Sequence, residues 1–154
     1  MRIGCNRGFV SAINIRRMNI ADYDACAEIW IAGGLPYKPN GRDSRERIER
    51  ELTQPSAIFL VAEIDGKVVG VVLGTHDGRK VWGNRLGVHP DHKRRGIATA
   101  LLDELERIGD GMGLLVCAAL VENDNEASKA MLAKRGYVGH DELTYYVKKK
   151  TEGS

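Results

Sequence analysis

The sequence lacks both a long apolar run and a large excess of charge of one sign. The apolar stretch LLVCAALV, at residues 114–121, is far shorter than the ~20 residues of a membrane-spanning helix. Lys and Arg together number 23 and Asp and Glu 21, so the net charge of +2 disfavours a surface that binds nucleic acid non-specifically. We therefore expect neither a membrane nor a nucleic acid as partner, and any cationic site must be local.

Signals for secretion and for metal binding are also missing. The first residues, MRIGCNRGFVSAIN, have no apolar segment of the kind found in a signal peptide. The three cysteines show no CxxC or other metal-ligand spacing, and Cys117 lies in an apolar run where packing explains it best. A proline separates His89 from His92 and no third ligand matches them, so we expect no metal site. The expected location is the reduced cytoplasm.

The pattern that is present predicts one α/β domain over residues 1–154, with a flexible leader at 1–9 and a flexible tail at 148–154. Asp65–Gly66 between two β-branched runs predicts a hairpin, and the run at 114–121 predicts a strand buried on both faces in the sheet centre. The elements form a mixed sheet with helices on its faces. In order, they are strand 10–17, a helix from Asn19, a helix from Asp43 or Ser44, strands 57–64, 67–75 and 81–88, a helix from Gly96, strand 114–121, a helix from Asn123 or Asn125, and strands 137–138 and 143–147.

Residues 88–102, VHPDHKRRGIATALL, place three cations beside the start of the helix with the clearest apolar stripe. Lys93, Arg94 and Arg95 stand directly before Gly96, where a helix N-terminus already carries partial positive charge. A strand, a turn and a glycine that opens a helix direct backbone N–H groups toward one point, which is the arrangement of an anion site. Phosphate is the expected guest, and a solvated basic turn is the alternative.

Two segments of the sequence resemble motifs of a known protein family. VHPDHKRRGIA resembles the acyl-coenzyme A loop of the GNAT (GCN5-related N-acetyltransferase) family, with Lys93 where Arg or Gln is usual. NDNEASKAMLAKRGY resembles the second family segment, with Asn125 eleven residues before Gly136 and Tyr137 in place of the usual Phe. The resemblance covers about residues 10–147. It implies the GNAT-type fold, a mixed and mostly antiparallel sheet flanked by helices.

The resemblance also implies positions for acetyl-coenzyme A, the family's cosubstrate. Leu86, Gly87 and Val88 would run along the pantetheine arm, and the Val88 amide would hold the oxyanion that forms at the thioester. Asn125 would contact the arm near the thioester. The N–H groups that would cradle the diphosphate are those of Arg94, Arg95, Gly96, Ile97, Ala98 and Thr99.

The implied activity is direct transfer of the acetyl group to a primary amine of a small molecule or a peptide. The alternative is a non-catalytic, regulatory domain that binds acyl-coenzyme A. It stays open because Leu132 stands where many members have a Tyr acid, and Leu120 where some have a carboxylate. Family members often dimerise, so a homodimer is possible. Candidates for a general base, or for positioning a water, are His76, Asp77, Asn84, His89, Glu122 and Tyr37 in the loop LPYKPNGRD.

Overall fold

The sheet has five strands in the order β1-β2-β3-β4-β5, in a computed structural model that describes residues 12–154. The first three pairings are antiparallel, and β4 and β5 are parallel. The strands are β1 Asn14–Arg17, β2 Ala57–Ile64, β3 Lys67–His76, β4 Lys80–Val88 and β5 Val116–Ala119. The helices are α1 Tyr23–Ala32, α2 Arg45–Leu52, α3 Ile97–Gly111 and α4 Glu126–Lys134, with 3₁₀ turns at Ile20–Asp22 and Pro90–His92. This is the predicted fold class, which is confirmed. The expected leader and the first residues of the strand predicted at 10–17 lie outside the described residues.

Local signals account for most element boundaries. Asp65 and Gly66 both have positive φ, 52° and 76°, as a two-residue hairpin turn between right-twisted strands requires. Asn19 accepts from the Ala21 N–H and begins the first helical segment, while Ser44 accepts from the Arg47 N–H and begins α2. Of the two caps predicted for α4, the structure selects Asn125.

The sheet separates two apolar layers. Leu101 and Leu105 of α3 pack on one face, and Ile29 and Trp30 of α1 pack on the other. α3 packs closely on β3 because Gly70 has no side chain. A Cβ atom at Gly70 would lie 2.6 Å from the Cγ2 atom of Ile97. Within residues 12–154, none of the helices is both long and apolar enough to cross a bilayer.

The strand predicted at residues 114–121 is present as β5, but its bounds and its central place in the sheet were predicted wrongly. The strand covers Val116–Ala119 rather than 114–121, and it lies at the edge of the sheet rather than in its centre. Leu115 is 91% exposed and Val116 is 46% exposed, so continuous apolarity did not indicate burial on both faces. The strand pairs with β4 on one side only, and no second neighbour among the described residues covers it.

The two last strands of the predicted order were also wrong. Residues 137–138 and 143–147 adopt no strand structure, and the regular elements end with α4. Leu143 and Tyr145 are 72% and 69% exposed. A strand is stable only when a neighbour pairs with its main chain, and these residues have no such neighbour in the structure. Their β-propensity alone therefore predicted structure that the described fold does not contain.

The C-terminal residues contact the loop between α1 and α2. The Arg42 N–H donates to the Gly153 carbonyl at 2.9 Å, and Lys38 Nζ donates to the Glu152 carbonyl at 2.8 Å. The flexibility expected for residues 148–154 stays a prediction, while these contacts show which loop the tail touches.

Candidate functional site

The site begins where β4 and β5 separate. Their parallel pairing ends at Gly83 and Ala119, so residues 84–88 pair with β3 alone among the described strands. A register shift interrupts the β3 and β4 pairing between Val71 and Leu73, and Arg85 opposite it has a φ of 50°. The second half of β4 is therefore bulged and leaves one main-chain edge without a strand partner.

The Val88 amide faces this open edge. The His89 N–H donates to the Val69 carbonyl on β3 at 2.8 Å. Because successive N–H groups of a strand point to opposite sides, the Val88 N–H points away from β3, toward the space between β4 and β5. The residue for which the sequence predicted an oxyanion contact thus has its donor on the side where a ligand strand would pair.

The first turn of α3 carries N–H groups without acceptors in the helix. The first intrahelical bond of α3 runs from the Ala100 N–H to the Gly96 carbonyl at 2.9 Å, which leaves the N–H groups of Ile97, Ala98 and Thr99 outside the ladder. No side chain caps this end, and the first turn has no acidic residue. Gly96 has a φ of 76°, a conformation that glycine adopts at little cost.

The loop before α3 adds cationic side chains to this end. Arg94 has a φ of 63°, and Lys93, Arg94 and Arg95 are all exposed. Arg95 Nη1 lies 3.5 Å from His92 Nδ1, and burial, followed by the nearby Arg95 charge, lowers the pKa of His92. A helix N-terminus with unpaired N–H groups, no acidic cap and adjacent guanidinium groups attracts an anion.

Gly70 brings the two halves of the site together. Gly70 pairs with Val88 across β3 and β4, and a Cβ atom at Gly70 would collide with the side chain of Ile97, the first residue of α3. The first turn of α3 therefore sits beside the strand position that carries the outward Val88 amide. A side chain at residue 70 would push the helix away from this position.

α4 is held on α3 by a charged and hydrogen-bonded contact. Arg135 Nη2 contacts Asp103 Oδ1 at 2.7 Å and Glu106 Oε2 at 2.9 Å, and only 11% of the Arg135 side chain is exposed. The Tyr137 hydroxyl donates to Glu106 Oε1 at 2.7 Å. The Gly136–Tyr137 motif is thus a structural anchor, since Gly136 has a φ of 87° and turns the chain back toward α3.

Asn125, at the other end of α4, is partly committed to capping. Its Oδ1 accepts from the Ser128 N–H at 3.1 Å, which leaves its Nδ2 group as the side-chain donor for a ligand. The positions of the usual family acids hold no acid. Leu132 packs against the core cluster beneath α3, and Leu120 is 56% exposed.

Two of the candidate bases lie far from the site. His76 and Asp77 flank the β3–β4 turn, and the strand from Lys80 to Val88 rises by roughly 26 Å over its length. Hydrogen bonds from the Lys80 and Arg79 N–H groups and from the Trp82 indole lower the pKa of Asp77 to about 2. The Asp77 carboxylate is thus engaged by the β3–β4 turn, at the end of β4 away from Val88.

The other candidates are engaged in local hydrogen bonds or exposed. Asn84 Nδ2 donates to Thr75 Oγ1 at 3.2 Å, and His89 Nδ1 accepts from the Asp91 N–H at 3.2 Å. The Tyr23 hydroxyl donates to the Asp43 carbonyl, so the Tyr37 hydroxyl donates to Tyr23 at 2.7 Å. Glu122 is exposed. Among the described residues, no group of three His, Cys, Asp or Glu side chains is suited to hold a metal.

The comparison with known proteins decides the family. A model of the acetyltransferase (GNAT) family matches residues 23–137. The chain belongs to this family. It is 36% identical over 132 residues to an acetyltransferase of Pectobacterium atrosepticum, covering 86% of this chain and 92% of the relative. It is 34% identical over 140 residues to an acetyltransferase of Sodalis glossinidius, covering 91% and 97%.

Solved GNAT structures share the fold. The PaiA N-acetyltransferase of Thermoplasma acidophilum, crystallised with coenzyme A, has a TM-score of 0.76 at 22% identity and covers 84% of this chain and 92% of its own. The aminoglycoside acetyltransferase AAC(6')-Iy, in complex with a bisubstrate analogue, has a TM-score of 0.75 at 19% identity and covers 90% and 99%. This GNAT protein is an acetyl-coenzyme A dependent acetyltransferase, with acetyl-coenzyme A as its cosubstrate.

Proposed function

We propose that this enzyme transfers the acetyl group directly to a primary amine of a small molecule or a peptide. The observation that supports it best is the convergence of the outward Val88 amide and the uncapped start of α3 at Gly70. In the proposal, the N–H groups from Arg94 to Thr99 bind the diphosphate, and Leu86, Gly87 and Val88 pair with the pantetheine arm as a strand would. Asn125 contacts the arm near the thioester through its Nδ2 group.

The Val88 N–H is the proposed donor to the thioester carbonyl. Negative charge grows on this oxygen as the amine attacks, and a fixed backbone donor stabilises that charge without having to reorganise. The bulge at Arg85 lies three residues before Val88 and fixes the local path of β4. The main chain, rather than a side chain, therefore supplies the proposed electrostatic catalysis.

The absence of an acid at Leu132 fits the energetics of the reaction. Expelling a thiolate of pKa ~8.5 at pH 7 costs only about 2 kcal/mol, whereas freeing an alkyl amine of pKa ~10.4 from its proton costs about 4.6 kcal/mol. An α-amine of pKa near 8 costs about 1.4 kcal/mol. Loss of the acid therefore costs less than freeing an alkyl amine from its proton and only slightly more than freeing an α-amine, so Leu132 does not argue for a non-catalytic domain.

The proposal is tested by following thiol release from acetyl-coenzyme A with a panel of amines: an aminoglycoside, an alanine-terminated peptide and an alkyl diamine. We expect turnover of at least one amine, with kcat/KM rising with pH because only the neutral amine attacks. Mass spectrometry of the product should show one added acetyl group on the amine. Binding of acetyl-coenzyme A without turnover of any amine would support the regulatory alternative instead.

Replacing Thr99 by Asp should affect stability and binding in opposite directions. Thr99 is exposed in the uncapped first turn of α3, where an acidic side chain stabilises a helix by about 0.3–1 kcal/mol. The same charge would repel the diphosphate, and we expect affinity for coenzyme A to fall at least tenfold. Urea unfolding and calorimetric titration measure the two effects, with the neutral Thr99→Asn variant as control. Unchanged affinity in the Asp variant would place the diphosphate elsewhere.

Gly96 and Gly113 form a matched pair at the two ends of α3. Their φ values are 76° and 75°, and an added Cβ would meet no atom within 4 Å at either position. Gly96→Ala and Gly113→Ala should therefore lose similar stability, about 1 kcal/mol each. Only Gly96→Ala should also lose affinity for coenzyme A, measured by titration of the folded variants. Equal affinities of the two variants would mean that the loop is misassigned.

A further inference from the structure

One arginine ties the loop between α1 and α2 to the bulge of β4. Arg85 Nη2 donates to the Pro36 carbonyl at 2.8 Å and lies 3.5 Å from Asp43 Oδ2, so it reaches both ends of the loop. Its guanidinium also stacks on Trp30, with the Cζ atom 4.7 Å from the ring centroid. Only 19% of the Arg85 side chain is exposed. Burial lowers the pKa of Arg85, and the Asp43 carboxylate opposes this effect.

Asp43 closes the same loop from inside. It is 2% exposed, and its Oδ2 accepts from the Lys38 N–H at 2.8 Å while its own N–H donates to the Lys38 carbonyl at 3.1 Å. Its carbonyl accepts from the Tyr23 hydroxyl at 2.7 Å. The loop is thus a closed unit, and Arg85 is the side chain of β4 that docks this unit on the strand.

The bulge is held in place by Trp30. The Trp30 indole N–H lies 3.4 Å from the Arg85 carbonyl, while the Arg85 guanidinium covers the same indole ring. A non-glycine residue at a φ of 50° is strained by about 1 kcal/mol or more, and such strain persists where surrounding contacts over-determine it. Arg85 and Trp30 therefore fix each other and the path of β4.

We propose that Arg85 is a positioning residue that sets the distance between the acceptor loop, residues 35–44, and the Val88 amide. Arg85 precedes Val88 by three residues on the same strand, about 10 Å at ordinary strand rise. The Arg85 side chain holds the acceptor loop and the Arg85 backbone forms the bulge, so one residue connects this loop to the proposed oxyanion donor. This inference rests on the proposed function and adds to it that the amine binds against this loop, which reaches the site: a Cβ atom at Gly87, the neighbour of Val88, would lie 3.5 Å from Leu35 Cδ1.

The planar shape of arginine is required for this role. One guanidinium must stack on Trp30 and direct an N–H group to the Pro36 carbonyl and the Asp43 carboxylate at the same time. Lysine has a single rotatable ammonium group, which does not stack flat or form a fixed fork. The charge alone should therefore not restore function.

The test compares Arg85→Ala and Arg85→Lys with Arg16→Ala, using an amine turned over by the wild-type enzyme. Arg16 is also a partly buried, ion-paired arginine, with Nη2 2.7 Å from both Asp22 Oδ1 and Glu63 Oε1, yet it contacts neither the acceptor loop nor β4. We expect both Arg85 variants to raise KM for the amine about tenfold or more, with affinity for acetyl-coenzyme A within twofold of wild type because the N–H groups at the start of α3 are unchanged. Arg16→Ala should change KM for the amine less than threefold.

If Arg85→Ala does not fold, the Asp43→Asn variant tests the same contact between the loop and Arg85. It keeps an oxygen for the Lys38 N–H but removes the charge that faces Arg85, and we expect a smaller rise in KM for the amine. An unchanged KM in the folded Arg85 variants, or full rescue by Lys, would overturn this inference and leave the proposed function intact. Lack of turnover by the wild-type enzyme with every amine would overturn both.

Discussion

The close approach of α3 to β3 over Gly70 is the contact on which the site depends. With no Cβ at this position, the first side chain of the helix, Ile97, lies directly on the strand. The partner of Gly70 across the sheet is Val88, whose amide points to the open edge of β4. Helix-end donors and a strand-edge donor are thus placed side by side by packing, before any ligand binds. Preorganisation of this kind spares the enzyme the cost of ordering the site during the reaction.

The start of α3 lacks the side-chain cap and acidic residues that usually stabilise a helix N-terminus, which leaves its N–H donors available to a ligand. Most helices satisfy their first N–H groups with a side-chain cap or an acidic residue, as Ser44 does for α2 and Asn125 for α4. At α3 a glycine occupies the cap position, and arginines stand where acids would be favourable. A helix end that is poor for folding and good for an anion is typical of the trade between stability and function.

Sequence reasoning succeeded where the cause of structure is local. The Asp65–Gly66 turn, the cap at Ser44 and the glycine before α3 each act within a few residues, so their patterns predicted the observed elements. It failed for β5, because apolarity alone does not reveal how many neighbours a strand has. Arg85 was missed for a related reason: its partner Asp43 is 42 residues away, and a positive φ in a non-glycine residue leaves no pattern in the sequence. His76 and Asp77, named among the candidates for a general base, lie at the end of the β3–β4 pair that is remote from Val88.

In the proposed function, different parts of the fold hold the acetyl donor and the amine. Backbone groups of β4 and α3 would bind the donor, and the loop at residues 35–44, which Arg85 contacts, would border the amine. An NMR titration that follows backbone amide signals tests the proposed diphosphate site most directly. Addition of coenzyme A, but not of pantetheine, which lacks the diphosphate, should shift the NMR amide signals of Ile97, Ala98 and Thr99 downfield. If coenzyme A binds while these three signals stay in place, the diphosphate does not bind at the start of α3 and the account is contradicted.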